Sequence, residues 1–133
     1  MRADIIQDCG NSLNENIDIG QIEGGFIQGL GWLTCEELYF SQEGKLLTTG
    51  PSTYKLPGSR DVPPIFNVKL LENADNDEKT IFRSKAVGEP PLLLAISHFL
   101  ALKEAIKASL PSSKAELLNS PATPSEILKA IYA

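Results

Sequence analysis

The alternation of apolar and polar residues predicts short strands in several parts of this chain. Residues 3–8 (ADIIQD) and 65–72 (IFNVKLLE) alternate between the two classes, which places their apolar side chains on one face of an extended strand. Residues 37–50 indicate a hairpin, with SQEG as its turn. Residues 81–89 (IFRSKAVGE) are expected to begin as a strand and to end as a loop.

Longer apolar stretches predict two main helices and a short helix at the C-terminus. Residues 19–38 and residues 90–110 are the two main helices of this prediction. The short helix follows Thr123, which suits the cap position, with Pro124 at the first helical position and Glu126 three residues after the cap. Mixed strands and hairpins packed with these helices, without regular βαβ alternation, indicate an α+β fold.

The first predicted helix is unusually rich in glycine. Five glycines fall in it or beside it: Gly20, Gly24, Gly25, Gly29 and Gly31. Each glycine inside a helix costs about 1 kcal/mol of helix propensity relative to alanine, so another interaction must compensate. Glycines four residues apart lie on one face and let another backbone approach closely. We therefore expect this helix to pack tightly on other elements or on a ligand.

Size and composition fit one ordinary globular domain spanning residues 1–133. The chain is 42% hydrophobic and 22% charged, and its net charge is −5. This acidic balance disfavours nucleic acid as a partner, because nucleic-acid-binding domains carry a basic face. Two distant cysteines and one histidine form no metal-ligating pattern. With no signal-peptide pattern and no apolar run near the ~20 residues of a membrane span, a cytoplasmic protein without membrane contact is expected.

Glu89 stands in an unusual setting, between Gly88 and two prolines at the start of a strongly apolar helix. Pro90 disfavours helical backbone at the residue before it, so Glu89 is expected to be extended and stiff. The helix dipole stabilises an anion at this end, and the apolar helix suggests partial burial. Glu89 is then either a general base or a carboxylate that caps the helix N–H groups. Arg83 and Lys85 are close enough in sequence to pair with it.

Five stretches of the chain together resemble the C-terminal part of the molybdenum-binding subunit in the xanthine oxidase/aldehyde oxidase family. They are DCGNSLN (8–14), GQIEGGFIQGLGW (20–32), GPSTYKLP (50–57), SKAVGEPP (84–91) and LNSPATPSEI (118–127). The resemblance covers nearly the whole chain. SKAVGEPP and PSTYK look more like the xanthine-oxidising members than the aldehyde-oxidising ones.

This resemblance implies a molybdenum hydroxylase, an enzyme that oxidises purines from hypoxanthine to xanthine to urate with oxygen derived from water. Glu89 occupies the place of the family's general base, which takes the proton from a molybdenum-bound hydroxide. Gln21 and Gly88 are expected to contact the molybdenum–molybdopterin cofactor. Val87 and Ala86 are expected to line the substrate pocket.

The resemblance also implies that most of the enzyme lies outside this chain, because the family's molybdenum portion is several times longer. The expected partners are the remainder of the molybdenum subunit, the domains or subunits that carry iron–sulfur clusters and FAD, and the purine substrate. We expect the chain to be an incomplete piece that is inactive alone. A piece of this kind should expose apolar patches and self-associate.

Tyr54 is expected to be a structural anchor.

A second class of function stays open. The chain would then be a non-catalytic module that binds a partner chain or a small molecule, and Glu89 would be only a helix cap.

Overall fold

The computed structural model describes residues 1–132. Its regular elements, in chain order, are strand β1 (Arg2–Gln7), helix α1 (Glu15–Thr34), strand β2 (Ile65–Leu70), helices α2 (Pro91–Leu94) and α3 (Ile96–Ser109), and helix α4 (Pro124–Tyr132). Short 3₁₀ turns lie at Ile81–Arg83 and Ala115–Leu117. The predicted α+β class is confirmed.

The two strands form a parallel pair, in register from Arg2 beside Ile65 to Gln7 beside Leu70. Helix α1 follows β1 directly and packs on the pair, where the rings of Phe26 and Phe66 lie 5.5 Å apart. The predicted hairpin is reduced to one antiparallel bridge between Phe40 and Leu46.

Two clusters of buried hydrophobic residues form the interior. The first joins β1, α1 and the end of α2, and it contains Ile5, Cys9, Ile22, Phe26, Leu30 and Ala95. The second lies among α3, α4 and the turn between them, and it contains Ile106, Ala115, Leu118, Ala122 and Ala130.

Two of the predicted elements are wrong in part. The strand expected at the start of residues 81–89 is a 3₁₀ turn, in which Phe82 and Arg83 have positive φ angles that no strand contains. The helix expected over 90–110 is divided at Ala95, whose N–H bonds to the Leu92 carbonyl three residues back. This tighter bond ends α2 before α3 begins.

The glycines of α1 explain where α2 lies. A methyl group built on Gly29 would overlap the Leu92 carbonyl oxygen and lie 2.9 Å from Cβ of Ala95. One built on Gly25 would lie 3.3 Å from Cβ of Pro91. The expectation that spaced glycines admit another backbone is therefore confirmed, and the backbone is that of α2.

The surface is large and rich in apolar side chains. A folded monomer of 14.4 kDa exposes about 6,800 Å² by the usual scaling with mass, whereas this chain exposes 9211 Å². Large hydrophobic residues such as Trp32, Tyr39, Phe40 and Phe82 are at least half exposed. Within residues 1–132, none of the helices combines the length and the hydropathy of a transmembrane span.

Candidate active site

A cavity of about 160 Å³ lies between the middle of α1 and the segment that leads into α2. Its lining consists of Gly20, Gln21, Gly24, Gly25, Gln28, Gly88 and Glu89. Three of the residues predicted from the sequence, Gln21, Gly88 and Glu89, therefore meet in one place, although Gln21 is distant in sequence from the adjacent Gly88 and Glu89. Their meeting depends on the packing of α2 against α1.

The α1 wall of this cavity is a bare stretch of helix backbone flanked by amides. Methyl groups built on Gly20 or Gly24 would meet nothing within 4 Å, so these positions leave the helix surface open on the cavity side. Gln21 and Gln28 are seven residues apart, which places their amides on the same side of the helix. The wall suits a flat polar ligand that approaches the backbone and takes hydrogen bonds from amides.

The opposite wall brings Gly88 against Gln21. A methyl group built on Gly88 would lie 3.3 Å from Oε1 of Gln21, which is tighter than most contacts of a Cβ atom. Any side chain at position 88 would therefore push the glutamine away or enter the cavity. This close approach gives the glycine of the GEPP sequence a packing role.

The Glu89 carboxylate is exposed in this chain, in contrast to the partial burial expected from the apolar helix. Its main-chain carbonyl accepts a hydrogen bond from Leu92 N–H at 3.0 Å. No side-chain hydrogen bond caps the start of α2, whose N-cap residue is Pro90. The helix-cap interpretation requires such a bond, whereas a general base requires a free carboxylate.

The other residues predicted for the pocket lie outside the cavity. Val87 is half-buried and packs against the first core cluster, and Ala86 is exposed. The two cationic residues close to Glu89 in sequence interact with other residues instead of with Glu89. Lys85 pairs with Asp8, with 2.6 Å between Nζ and Oδ2, and Arg83 donates to the Asn76 carbonyl at 3.0 Å. In residues 1–132 no group of three or more His, Cys, Asp or Glu side chains is arranged to hold a metal ion.

Glu36 is a buried carboxylate that sequence reasoning missed. It is 8% exposed, and the Tyr54 hydroxyl donates a hydrogen bond to its Oε2 at 2.6 Å. The hydrogen bond to Glu36 raises the pKa of the Tyr54 phenol, and desolvation adds to the effect. The pair ties residues 50–57 to the end of α1, so the anchoring role predicted for Tyr54 is confirmed. No sequence signal marks Glu36, because it sits in an ordinary TCEEL stretch.

The chain is similar in sequence to a known family model and to known enzymes. A family model described as a molybdopterin cofactor-binding domain matches residues 1–63. Xanthine dehydrogenase/oxidase of Felis catus is 54% identical over 136 residues, which cover 98% of this chain and 10% of that protein. Xanthine dehydrogenase 2 of Arabidopsis thaliana is 50% identical over 98% of this chain and 10% of its own length. This chain thus spans about a tenth of these relatives.

Solved structures share the same arrangement of elements. Quinoline 2-oxidoreductase from Pseudomonas putida 86 superposes with a TM-score of 0.79 and 28% identity, over 95% of this chain and 15% of that one. A Cu,Mo-CO dehydrogenase superposes with a TM-score of 0.75 at 18% identity, over 96% of this chain and 16% of that one, which shows likeness of fold.

Proposed function

We propose that this chain supplies the general base and one wall of the cofactor site to a molybdenum hydroxylase. It is homologous over nearly its whole length to a segment of the xanthine dehydrogenases. The observation that carries this proposal is the cavity that joins Gln21, Gly88 and Glu89. The proposed substrates are purines, oxidised from hypoxanthine to xanthine to urate.

The residues around the cavity fit a molybdenum–molybdopterin cofactor. The bare backbone at Gly20 and Gly24 leaves room for a flat ring system, and the amides of Gln21 and Gln28 offer donors and acceptors to its polar edge. When bound, this cofactor supplies two-electron redox chemistry and delivers oxygen that comes from water. Iron–sulfur clusters and FAD would belong to other domains or subunits.

Glu89 is proposed to accept the proton that is released as substrate is oxidised. Its carboxylate is exposed and no side-chain hydrogen bond caps the start of α2, so its oxygens are available to a proton donor in the cavity. Its backbone is held at the helix entrance by the bond from Leu92 N–H. A base fixed in this way contributes both proximity and proton transfer to the rate.

The proposal is tested by Glu89→Gln in the assembled enzyme that contains this chain. We expect turnover to fall by at least about 100-fold, because general-base catalysis contributes about 10²- to 10⁴-fold. Molybdenum content should stay unchanged, because the glutamine keeps the shape of the side chain. Glu104→Gln is the matched control, since Glu104 is exposed on α3 and away from the cavity.

Retained turnover in Glu89→Gln would contradict the assignment of the base. Loss of molybdenum together with turnover would assign Glu89 to cofactor retention instead.

A further inference from the structure

The segment that carries Glu89 is a short bridge between two fixed points. Residues 86–90 connect a backbone junction at Lys85 to the start of α2 at Pro91. At the α2 end, Pro91 is fully buried and packs on Gly25 of α1. The position of Glu89 therefore depends on how firmly the other end is held.

That other end is a junction between residues 8–11 and residues 83–85, which we call the loop seam. Lys85 N–H donates to the Cys9 carbonyl at 2.9 Å, and Asn11 N–H donates to the Arg83 carbonyl at 3.1 Å. Gly10 has a φ of 62°, and a methyl group built on it would overlap the Arg83 carbonyl oxygen. The two backbones thus approach so closely that only glycine fits.

A single carboxylate fastens the loop seam through its side chain. Asp8 accepts from Gly10 N–H at 2.9 Å with Oδ1 and pairs with Lys85 Nζ at 2.6 Å with Oδ2. One oxygen thus holds the turn at Gly10, and the other holds the segment that leads to Glu89. Helix α1 begins seven residues after Asp8, so the same junction also positions the wall that carries Gln21.

This ion pair differs from the other ion pairs in the described part of the chain. Arg2 with Asp4, Glu104 with Lys107, and Glu126 with Lys129 each join residues two or three positions apart. Asp8 and Lys85 are 77 positions apart and join the segment that precedes α1 to the segment that leads into α2.

We propose that Asp8 and Lys85 are positioning residues, which hold the 86–90 segment so that Glu89 faces the cavity. This inference rests on the proposed function. Partly exposed ion pairs contribute little to stability, so the main effect of this one is on geometry. Misplacing a base by about 1 Å can cost about 100-fold in rate, which makes geometry the sensitive readout.

The test compares variants in the assembled enzyme for kcat, KM, molybdenum content and backbone amide exchange of residues 84–89. Lys85→Met should lower kcat about tenfold with KM nearly unchanged, and exchange in this segment should rise. Lys85→Arg should restore most of kcat. Asp8→Asn keeps the acceptor for Gly10 N–H, so it tests the charge pair with the turn intact.

The double variant Asp8→Asn/Lys85→Met shows whether the two residues act together as one pair or affect the rate independently. If the residues act together, it should lose no more kcat than either single variant. Lys129→Met is the matched control, because it breaks an equally short ion pair on α4 and should leave kcat and the exchange of residues 84–89 unchanged.

Unchanged exchange in both single variants would overturn the inference, as would increased exchange with unchanged kcat. Multiplicative losses in the double variant would also overturn it. Failure of the proposed function gives a different result, which is retained turnover in Glu89→Gln. In that case Lys85 has no base to position, whatever the exchange measurement shows.

Discussion

Asp8 makes the loop seam sensitive to acid. The hydrogen bond from Lys85 lowers the pKa of Asp8 from its ordinary value near 3.8, and the Gly10 N–H lowers it further. Because the folded pKa is below the unfolded one, the stabilisation is complete above the unfolded value. It is lost as pH falls through the lowered folded pKa.

We predict that Asp8→Asn removes this part of the pH dependence. Because a partly exposed ion pair contributes little to stability, the denaturant midpoints of wild type and variant should differ by a small amount at neutral pH and converge in strong acid. Lys85→Met should also weaken the pH dependence of the denaturant midpoint, because it removes the larger cause of the shift in the pKa of Asp8. A difference that stayed constant down to strong acid would contradict this account.

At the level of single residues, the sequence predicted the site residues that lie in recognisable motifs, but it did not predict the residues that hold them in place. Gln21, Gly88 and Glu89 stand in motifs, and the structure brings them to one cavity. Asp8 lies inside one of the quoted motifs, yet its pairing with Lys85 joins positions 77 residues apart. Such a pairing follows from the path of the chain, which no local pattern records.

The crossing of α1 and α2 is the element-level feature that forms the cavity. We predict that Gly29→Ala lowers the free energy of unfolding by about 1–3 kcal/mol, the range for overpacking a tight site, because its methyl group would overlap the Leu92 carbonyl oxygen. Gly20→Ala is the matched control. Its methyl group meets nothing within 4 Å, so it should be neutral or stabilise the helix by up to about 1 kcal/mol.

Denaturant unfolding of both variants provides the measurement. Equal stability of Gly29→Ala and Gly20→Ala would show that α2 moves freely on α1, and the cavity would then have no fixed second wall.

The sequence predicted the start of a helix correctly where a local capping residue determines it. It did not predict the helix break that tertiary packing determines. Helix α4 begins at Pro124 as predicted, and Thr123 Oγ1 accepts from Glu126 N–H at 3.4 Å. Helix α1 begins four residues earlier than predicted, because Asn14 accepts from Ile17 N–H and caps it. The break at Ala95 follows from its complete burial beside Gly29, which hydrophobic periodicity does not encode.

At the scale of the whole molecule, the chain offers one wall of a site and no metal-ligand cluster within residues 1–132. We predict that the purified chain carries no molybdenum and associates with itself through its exposed apolar side chains. Native mass spectrometry, with molybdenum quantified in the same sample, checks both statements. Tyr39→Ser/Phe40→Ser should weaken the association, since both side chains are more than half exposed.

Stoichiometric molybdenum with a bound pterin on the isolated chain would contradict the view that other domains complete the site. A strictly monomeric chain would contradict the role given to its apolar surface.

The unusually large exposed area also determines what a stability measurement on this chain means. Its 9211 Å² exceeds the value for a compact monomer of its mass by roughly a third. Any molecule that covers this surface in the folded state alone shifts the equilibrium by mass action, in proportion to the logarithm of its concentration. The melting temperature of this chain is therefore expected to rise with its own concentration, and it describes an assembly equilibrium as much as a fold.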